Sequence, residues 1–195
     1  MGKRAEQHEY RRQQLLQIAL DQFITKGFYG TSTREISRIA GISSGLMFNY
    51  FGSKESLFEA LVEIGCDKMV LETEANCSPL SIFERQIQGL LQMIECNRSA
   101  AKMFVFMGYA SYNAANISQK ANDLLLQHDI IRQSMPLIVE GQQLGEIKEG
   151  NPQALSIAFW CSIQGIAEEI AMNPNSPLPQ ADWIMDILRS KEEQT

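Results

Sequence analysis

The sequence predicts an all-helical (all-α) fold of about nine helices. Apolar residues recur at spacings of three and four over much of the chain, which is typical of helices with one buried face. No stretch shows a convincing alternation of apolar and polar residues, so strands are not expected. Serine and asparagine residues also stand where helices would start. With 45% hydrophobic residues among 195, the chain is long enough to bury a substantial core.

The first helix is predicted over residues 9–26, and Gly27 is expected to end it. Its buried stripe consists of Leu16, Ala19, Leu20 and Phe23. Ser32 precedes Glu35 by three residues, the capping-box pattern in which each side chain accepts from the other's free backbone N–H. We therefore expect a short second helix that ends at Gly41, since glycine readily adopts a left-handed backbone.

Further serine, asparagine and proline signals predict the remaining helices. Ser43 predicts a short third helix through about Tyr50, and Ser53 a fourth over residues 54–74. A serine or asparagine followed by proline opens two long helices, because proline at the first position sacrifices no hydrogen bond. The expected segments are 79–96, 99–110, 118–144 with Pro136 kinking or dividing it, 152–172, and 181–190 after the loop 173–180.

Composition argues against several classes of protein. The polar start "MGKRAEQHEYRRQQ" lacks the apolar core of a signal peptide, and no apolar run is long enough to span a membrane, so we expect a cytoplasmic protein. The four cysteines are spread without a C-x-x-C pair or metal-ligand spacing, and no nucleophile, base and orienting group form a recognisable motif. We expect reduced thiols, no metal, no cofactor and no enzymatic activity.

Charge is distributed unevenly along the chain. Residues 1–55 carry eight Lys or Arg and five Asp or Glu, a balance of +3, whereas the rest of the chain carries nine and eighteen, a balance of −9. A basic front end on an acidic protein suits a segment that faces a polyanion, although a balance of +3 also fits an ordinary solvated face.

The stretch "GISSGLMFNYFGSKESL" joins the second and third predicted helices through a tight turn containing Gly41. Two short helices in this arrangement form a helix-turn-helix, whose second helix enters the DNA major groove. Small and polar residues are expected on the DNA side of that helix, and apolar residues on its supporting side. The DNA-facing set is Ser43, Ser44, Gly45 and Asn49, and the supporting set is Met47, Tyr50 and Phe51.

The segment "LLQIALDQFITKGFYGTSTREISRIAGISSGLMFNYFGSKESLFEAL", residues 15–61, closely resembles the DNA-binding segment of the tetracycline-repressor (TetR) family of bacterial transcription regulators. Weaker similarity in "EGQQLGEIKEGNP", residues 140–152, resembles the family's junction between its seventh and eighth helices. The resemblance implies DNA contacts by nine residues: Thr33, Arg34, Ser43, Ser44, Gly45, Leu46, Asn49, Tyr50 and Lys54. Lys54, at the start of the fourth helix, is expected on a phosphate.

Three positions depart from the family pattern. Ser44 stands where many members have Lys, which removes a possible cationic contact. Leu46 stands where many have Thr, which offers an apolar group to a thymine methyl. Phe48 stands where many have Tyr, which loses a hydroxyl. Arg11 and Arg12 have two open interpretations, as phosphate contacts or as a solvated helix start.

The resemblance also implies two domains, a helix-turn-helix DNA-binding domain over residues 1–54 and a ligand-binding and dimerisation domain over residues 55–195. The Met- and aromatic-rich segment "MFVFMGYASY" suits a ligand cavity or an ordinary core. The candidate pocket residues are Met103, Phe104, Met107, Tyr109, Tyr112 and Phe159. Small residues along the penultimate helix suit close helix packing in a homodimer. The candidate interface residues are Ala158, Ser162, Gly165, Trp183 and Ile187.

The resulting hypothesis is a ligand-responsive transcriptional regulator, most simply a repressor. It binds a near-palindromic operator as a homodimer, and a largely apolar or aromatic small-molecule effector releases it. The alternative is a small-molecule-sensing or protein-interaction module with weak or no DNA binding. Binding assays with and without DNA would separate the two.

Overall fold

The computed structural model describes residues 2–68, 71 and 77–190, and it confirms the all-helical fold. Within these residues there are ten α-helices, one 3-10 turn at Arg98–Ala100 and one isolated β-bridge between Ile147 and Arg189. The helices are α1 (Lys3–Gly30), α2 (Thr33–Ile39), α3 (Ser44–Phe51), α4 (Lys54–Lys68), α5 (Pro79–Cys96), α6 (Ala101–Ile117), α7 (Gln119–Gln127), α8 (Ile130–Gln143), α9 (Pro152–Met172) and α10 (Ala181–Met185).

The chain divides into two compact units. The first comprises residues 1–68 with 105–127, and the second comprises residues 69–104 with 128–195. This division follows packing, and α6 contributes residues to both units. It differs from the functional division after residue 54 that the sequence suggests, which stays a prediction.

Aromatic side chains form the core of the first unit. The Phe58 ring of α4 packs edge-on against the rings of Phe23 and Phe106, and its centroid lies 5.8 Å and 5.3 Å from theirs. The Phe28 ring of α1 also packs edge-on against Phe58, with centroids 5.6 Å apart. Phe23, Phe58 and Phe106 are fully buried. Rings of this size bury large apolar areas, so α1, α4 and the second part of α6 support the short helices α2 and α3 on a well-packed base.

The second unit has its own core, formed mainly by α5, α8, α9 and α10. Phe159 of α9 is fully buried, and its ring lies edge-on to Phe83 and Trp160 at 5.3 Å and 5.1 Å. Ser134 and Ser156 are buried beside them and hydrogen-bond each other at 2.7 Å. Since the Trp160 Nε1–H also donates to Ser134 Oγ, this polar group is satisfied inside an apolar core.

Most of the local helix-start predictions are confirmed. The side-chain oxygens of Ser32, Ser43, Ser53, Ser78 and Asn151 each accept from the backbone N–H three residues later. At Ser32 only this half of the capping box forms, because Glu35 Oε1 accepts from Lys26 Nζ at 2.6 Å. Gly27 has a φ of +69° and breaks the helical backbone inside α1, three residues before the last residue of that helix.

Other helix boundaries were wrong. The predicted helix over 118–144 breaks before Ile130, where Asp129 accepts from Arg132 N and starts α8, whereas Pro136 lies inside α8 without ending it. The predicted last helix stops at Met185, because Leu188 O and Ser190 N pair with Lys148 N and Glu146 O instead of continuing helically. The expected end of the fourth helix near residue 74 lies outside the described residues.

Candidate nucleic-acid interface

A tight turn joins α2 to α3. Gly41 adopts a φ of +66°, which favours glycine, and its N–H donates to Arg38 O at 3.2 Å. The Ile42 N–H donates to Ser37 O at 3.0 Å, and Ser43 Oγ accepts from Leu46 N at 3.2 Å to start α3. The turn therefore leaves few backbone donors unsatisfied and holds α3 at a defined angle to α2.

One side of α3 is anchored in the protein. Met47 and Phe51 are 1% and 7% exposed, as predicted for the supporting side. The Arg12 guanidinium carbon lies 5.3 Å from the centroid of the Phe51 ring, a cation–π contact that links α1 to α3. An eight-residue helix has little stability of its own, so these contacts fix its position.

The other side of α3 faces solvent. Five of the predicted DNA-contact residues are exposed there: Ser43, Ser44, Gly45, Leu46 and Asn49. Phe48 is also exposed, at 66%. A Cβ built at Gly45 would have no atom within 4 Å, so open space lies in front of this turn of the helix. On α2, Arg34 is exposed and Thr33 is half-buried.

Tyr50 has a partner that the sequence did not suggest. Its ring stacks on His8 of α1 with centroids 4.5 Å apart and planes inclined by 28°. Tyr50 is half-buried, and the stack ties the first turns of α1 to the last turn of α3. No local pattern could reveal this pair, because the two residues are 42 positions apart.

Lys54 is committed to the protein's own backbone. Its Nζ donates to Phe28 O at 2.7 Å and to Thr31 O at 2.8 Å, and lies 4.1 Å from the centroid of the Phe28 ring. Two of the three ammonium donors therefore cap carbonyls at the end of α1. The expected phosphate contact of Lys54 stays a prediction, and its structural contacts come in addition.

The same end of α1 is held by two tyrosines. The Phe28 N–H donates to the Tyr109 hydroxyl oxygen at 2.7 Å, next to the kink at Gly27. The Tyr29 hydroxyl donates to Asn116 O at 2.9 Å. Both partners lie on the part of α6 that belongs to the first unit.

Arg11 and Arg12 also have structural contacts. Arg11 Nη1 donates to Gln14 Oε1 at 2.8 Å and reaches Ala40 O at 3.5 Å, the upper limit of a hydrogen bond. Arg12 lies over Phe51. Both side chains are half-buried rather than fully solvated, so they brace α1 against the helix-turn-helix.

The six candidate pocket residues have different surroundings. Phe104 and Phe159 lie in the core of the second unit, with Met103 half-buried on the same helix as Phe104. Met107 is buried in the first unit, close to Gly65. Tyr109 uses its hydroxyl on Phe28, and Tyr112 is 89% exposed. A ligand site at these residues stays a prediction.

The candidate dimer residues mostly lie at the surface of the second unit. Ala158 and Gly165 are exposed on α9, Ser162 and Ile187 are half-buried, and Trp183 of α10 is 64% exposed. Ile157 and Cys161 add exposed apolar surface to α9.

Among the described residues, His, Cys, Asp and Glu side chains do not gather into a group of three that could hold a metal ion. Burial first, and then the charges of Asp67 and Glu63, raise the pKa of the Cys66 thiol to about 11, so this thiol is neutral at ordinary pH. In the same part of the chain, no helix combines the length and apolar character needed to cross a bilayer.

Comparison with known proteins places these observations in a family. A sequence model described as bacterial regulatory proteins of the tetR family matches residues 15–61. The HTH-type transcriptional regulator RutR of Escherichia coli strain K12 is 26% identical over 170 residues, which cover 86% of this chain and 78% of RutR. The matched family segment begins within α1 and ends within α4, and so contains the whole α2–turn–α3 unit.

Solved structures share the fold. The ketosteroid transcriptional regulator KstR2 of Mycobacterium tuberculosis aligns with a TM-score of 0.75 at 18% identity, over 93% of this chain and 96% of KstR2. AibR, solved in complex with isovaleryl coenzyme A and operator DNA, aligns with a TM-score of 0.65 at 17% identity, over 90% of this chain and 94% of AibR.

Proposed function

Because the chain belongs to the TetR family of bacterial transcriptional regulators, which are DNA-binding proteins and not enzymes, we propose that it is an operator-binding repressor that a small molecule releases. It binds a near-palindromic operator as a homodimer, with one α3 from each copy in successive major grooves about 34 Å apart. It works in the cytoplasm, where operator and effector are both available.

The observation that carries this proposal is the two-sided character of α3. Its supporting side is buried through Met47 and Phe51, while Ser44, Gly45 and Asn49 are free on the other. The exposed side carries no acidic residue, so it meets no repulsion from phosphates. Gly45 has no side chain to hold the backbone away from base edges.

Electrostatics supports the same surface. Arg34 and Arg38 are exposed on α2, beside the turn that leads into α3. Cations at the edge of a groove neutralise phosphates and release counterions, so we expect operator affinity to fall steeply with salt, with a slope of about 0.9 per phosphate contact. Arg34 is a better test of phosphate contact than Lys54, because Lys54 holds the end of α1.

The proposed dimer uses the exposed apolar surface of α9 and α10. Ile157 is 42% exposed and Trp183 is 64% exposed, and Ala158 and Gly165 offer little bulk between them. A two-fold interface joins the same patch of both copies, so this surface would have to be complementary to itself. Small residues on α9 permit a partner helix to approach closely.

The proposed effector is a largely apolar or aromatic molecule bound in the residue 55–195 domain. AibR was solved with both an acyl coenzyme A and operator DNA, so a relative in fold carries both kinds of ligand. Here, the effector would act by preferring a conformation with a different separation of the two α3 helices, which lowers operator affinity.

Fluorescence anisotropy with duplexes that flank the protein's own gene tests the proposal. We expect a saturable complex of two chains per operator, with affinity that falls as salt rises. Arg34→Ala should weaken binding to all DNA sequences similarly, whereas Asn49→Ala should reduce the protein's preference for particular base pairs. Absent or salt-independent binding to every duplex would refute DNA binding and favour a sensing or protein-interaction module.

Gly45→Ala tests whether α3 approaches DNA closely, in a variant that should fold as well as the wild type. The added methyl meets no atom of the protein, and alanine is at least as good as glycine in a helix. We expect an unchanged or slightly higher melting temperature together with weaker operator binding, because the methyl would stand between α3 and the groove. Unchanged operator affinity would show that this turn does not approach DNA closely.

A further inference from the structure

The helical repeat determines which residues are neighbours on the exposed side of α3. Successive residues turn by about 100°, so Asn49 points away from the buried pair Met47 and Phe51. Leu46 and Phe48 lie on the two sides of Asn49, and their side chains are 41% and 66% exposed. Two large apolar groups thus flank a single amide on the surface proposed to meet DNA.

The chemistry of these groups is selective. The helix sequence SGLMFNYF contains no Arg or Lys, the side chains that most commonly read guanine through its O6 and N7. An asparagine amide matches N6 and N7 of adenine, and apolar side chains match the 5-methyl group of thymine. Apart from Ser44, which suits any base, the exposed residues of the helix favour A·T pairs.

The occupant of this apolar surface follows from charge. Met47 and Phe51 already fill the supporting side of α3, so Leu46 and Phe48 are not required by its packing. No carboxylate lies on α3, and Arg34 and Arg38 are exposed on the adjoining helix. This combination fits a duplex with methyl groups on its major-groove floor better than it fits a basic or wholly apolar partner.

We propose that α3 reads A·T base pairs, with Asn49 on adenine and with Leu46 and Phe48 on thymine methyl groups. This inference rests on the proposed operator binding and deepens it, because it gives the operator a chemical class. It also makes Phe48 a specificity-determining residue.

Selection from a random duplex library, with the full-length protein, provides the operator for the test. Each thymine of that operator is then replaced by deoxyuridine, which removes the methyl group and leaves base pairing intact. We expect A·T pairs at the positions that α3 reads, and about a fourfold loss of affinity for each methyl group removed there, the size expected for one buried methylene-sized group.

Two variants assign the methyl contacts to side chains. Leu46→Ala should lower the affinity for the thymine operator, and deoxyuridine at one position should then cause no further loss of affinity. Phe48→Ala should have the same two effects at a different position. Leu126→Ala, at an exposed leucine of α7, is the control and should keep the full deoxyuridine effect. Both α3 variants should melt like the wild type, because their side chains are exposed.

The outcomes separate the two proposals. A tight operator with G·C pairs at these positions, or equal affinity for thymine and deoxyuridine operators, overturns the A·T inference and leaves operator binding intact. Failure to select any duplex overturns both. Deoxyuridine losses that persist in both α3 variants show that other side chains read the methyl groups, which overturns the role of Leu46 and Phe48.

Discussion

The outward side of α3 and Lys54, the first residue of α4, both belong to the set that the family pattern associates with DNA, yet their side chains behave differently. On α3, Ser44, Leu46 and Asn49 are exposed. At the end of α1, Lys54 caps two carbonyls and the Tyr109 hydroxyl accepts from Phe28 N. A motif therefore identifies a DNA-binding region, but only contacts show which side chains are free to bind and which hold the region together.

The largest expected effect comes from reversing the electrostatics of the free surface. Ser44→Glu places a carboxylate at the first turn of α3. There it interacts favourably with the helix dipole, but it would be repelled by phosphates and base-edge acceptors. We expect operator affinity to fall at least about 30-fold, since like-charge juxtaposition at an interface costs several kcal/mol. Anisotropy titration measures this loss, and thermal melting should show an equal or slightly higher midpoint.

Ser44→Ala serves as the neutral control and should change operator affinity only slightly. If Ser44→Glu bound the operator as well as the wild type, α3 would not be the groove-inserted helix.

Removing the cation at the end of α1 should act mainly on stability. Lys54→Met keeps an apolar stem over the Phe28 ring but loses both hydrogen bonds to backbone carbonyls. We expect a loss of about 1.5 kcal/mol or more in the free energy of unfolding, because a hydrogen bond from a charged group contributes about 1.5 to 3 kcal/mol. Urea denaturation measures it.

Lys26→Met is the comparison for that variant. It removes a surface ion pair with Glu35 and should cost about 0.5 kcal/mol or less. Equal effects of the two variants would contradict a structural role for Lys54.

A smaller loss is expected at Tyr109. Tyr109→Phe removes the acceptor of the Phe28 N–H and leaves that donor without its partner, which should cost about 1 kcal/mol of stability in urea denaturation. Tyr112→Phe changes the same atoms on the same helix at an 89% exposed position. No measurable change is expected there, so a loss of equal size in both variants would argue against the Tyr109 contact.

A pH dependence of stability is expected from Cys66. Burial first, then Asp67 and Glu63, raises the pKa of this thiol from 9.0 to about 11. The raised pKa gives stability that is fully present below about pH 9 and is lost as the pH rises towards 11, because only the unfolded thiol has released its proton in that window.

Cys66→Ala should therefore show a shallower loss of stability across this window than the wild type. Cys96→Ala, at an exposed thiol, should keep the wild-type slope. Identical slopes in all three proteins would mean that Cys66 is not shielded from water.

Features that depend on neighbouring residues were predictable from the sequence. The caps at Ser32, Ser43, Ser53, Ser78 and Asn151 need only the next three residues, and the two-sided pattern of α3 needs only one helical repeat. The stack of His8 on Tyr50 and the bond from Phe28 to Tyr109 join residues far apart in sequence, so no local pattern indicates them. The break before Ile130 was missed because Pro136 is the stronger local signal, yet α8 continues through it.

Replacement of single operator purines by 7-deazapurines tests the central claim most directly, because it removes only the N7 acceptor in the major groove. If two copies of α3 occupy successive major grooves, affinity for the wild-type protein should fall in two blocks about 10 base pairs apart. A flat response, or a single block of sensitive positions, would contradict insertion of paired α3 helices into the major groove.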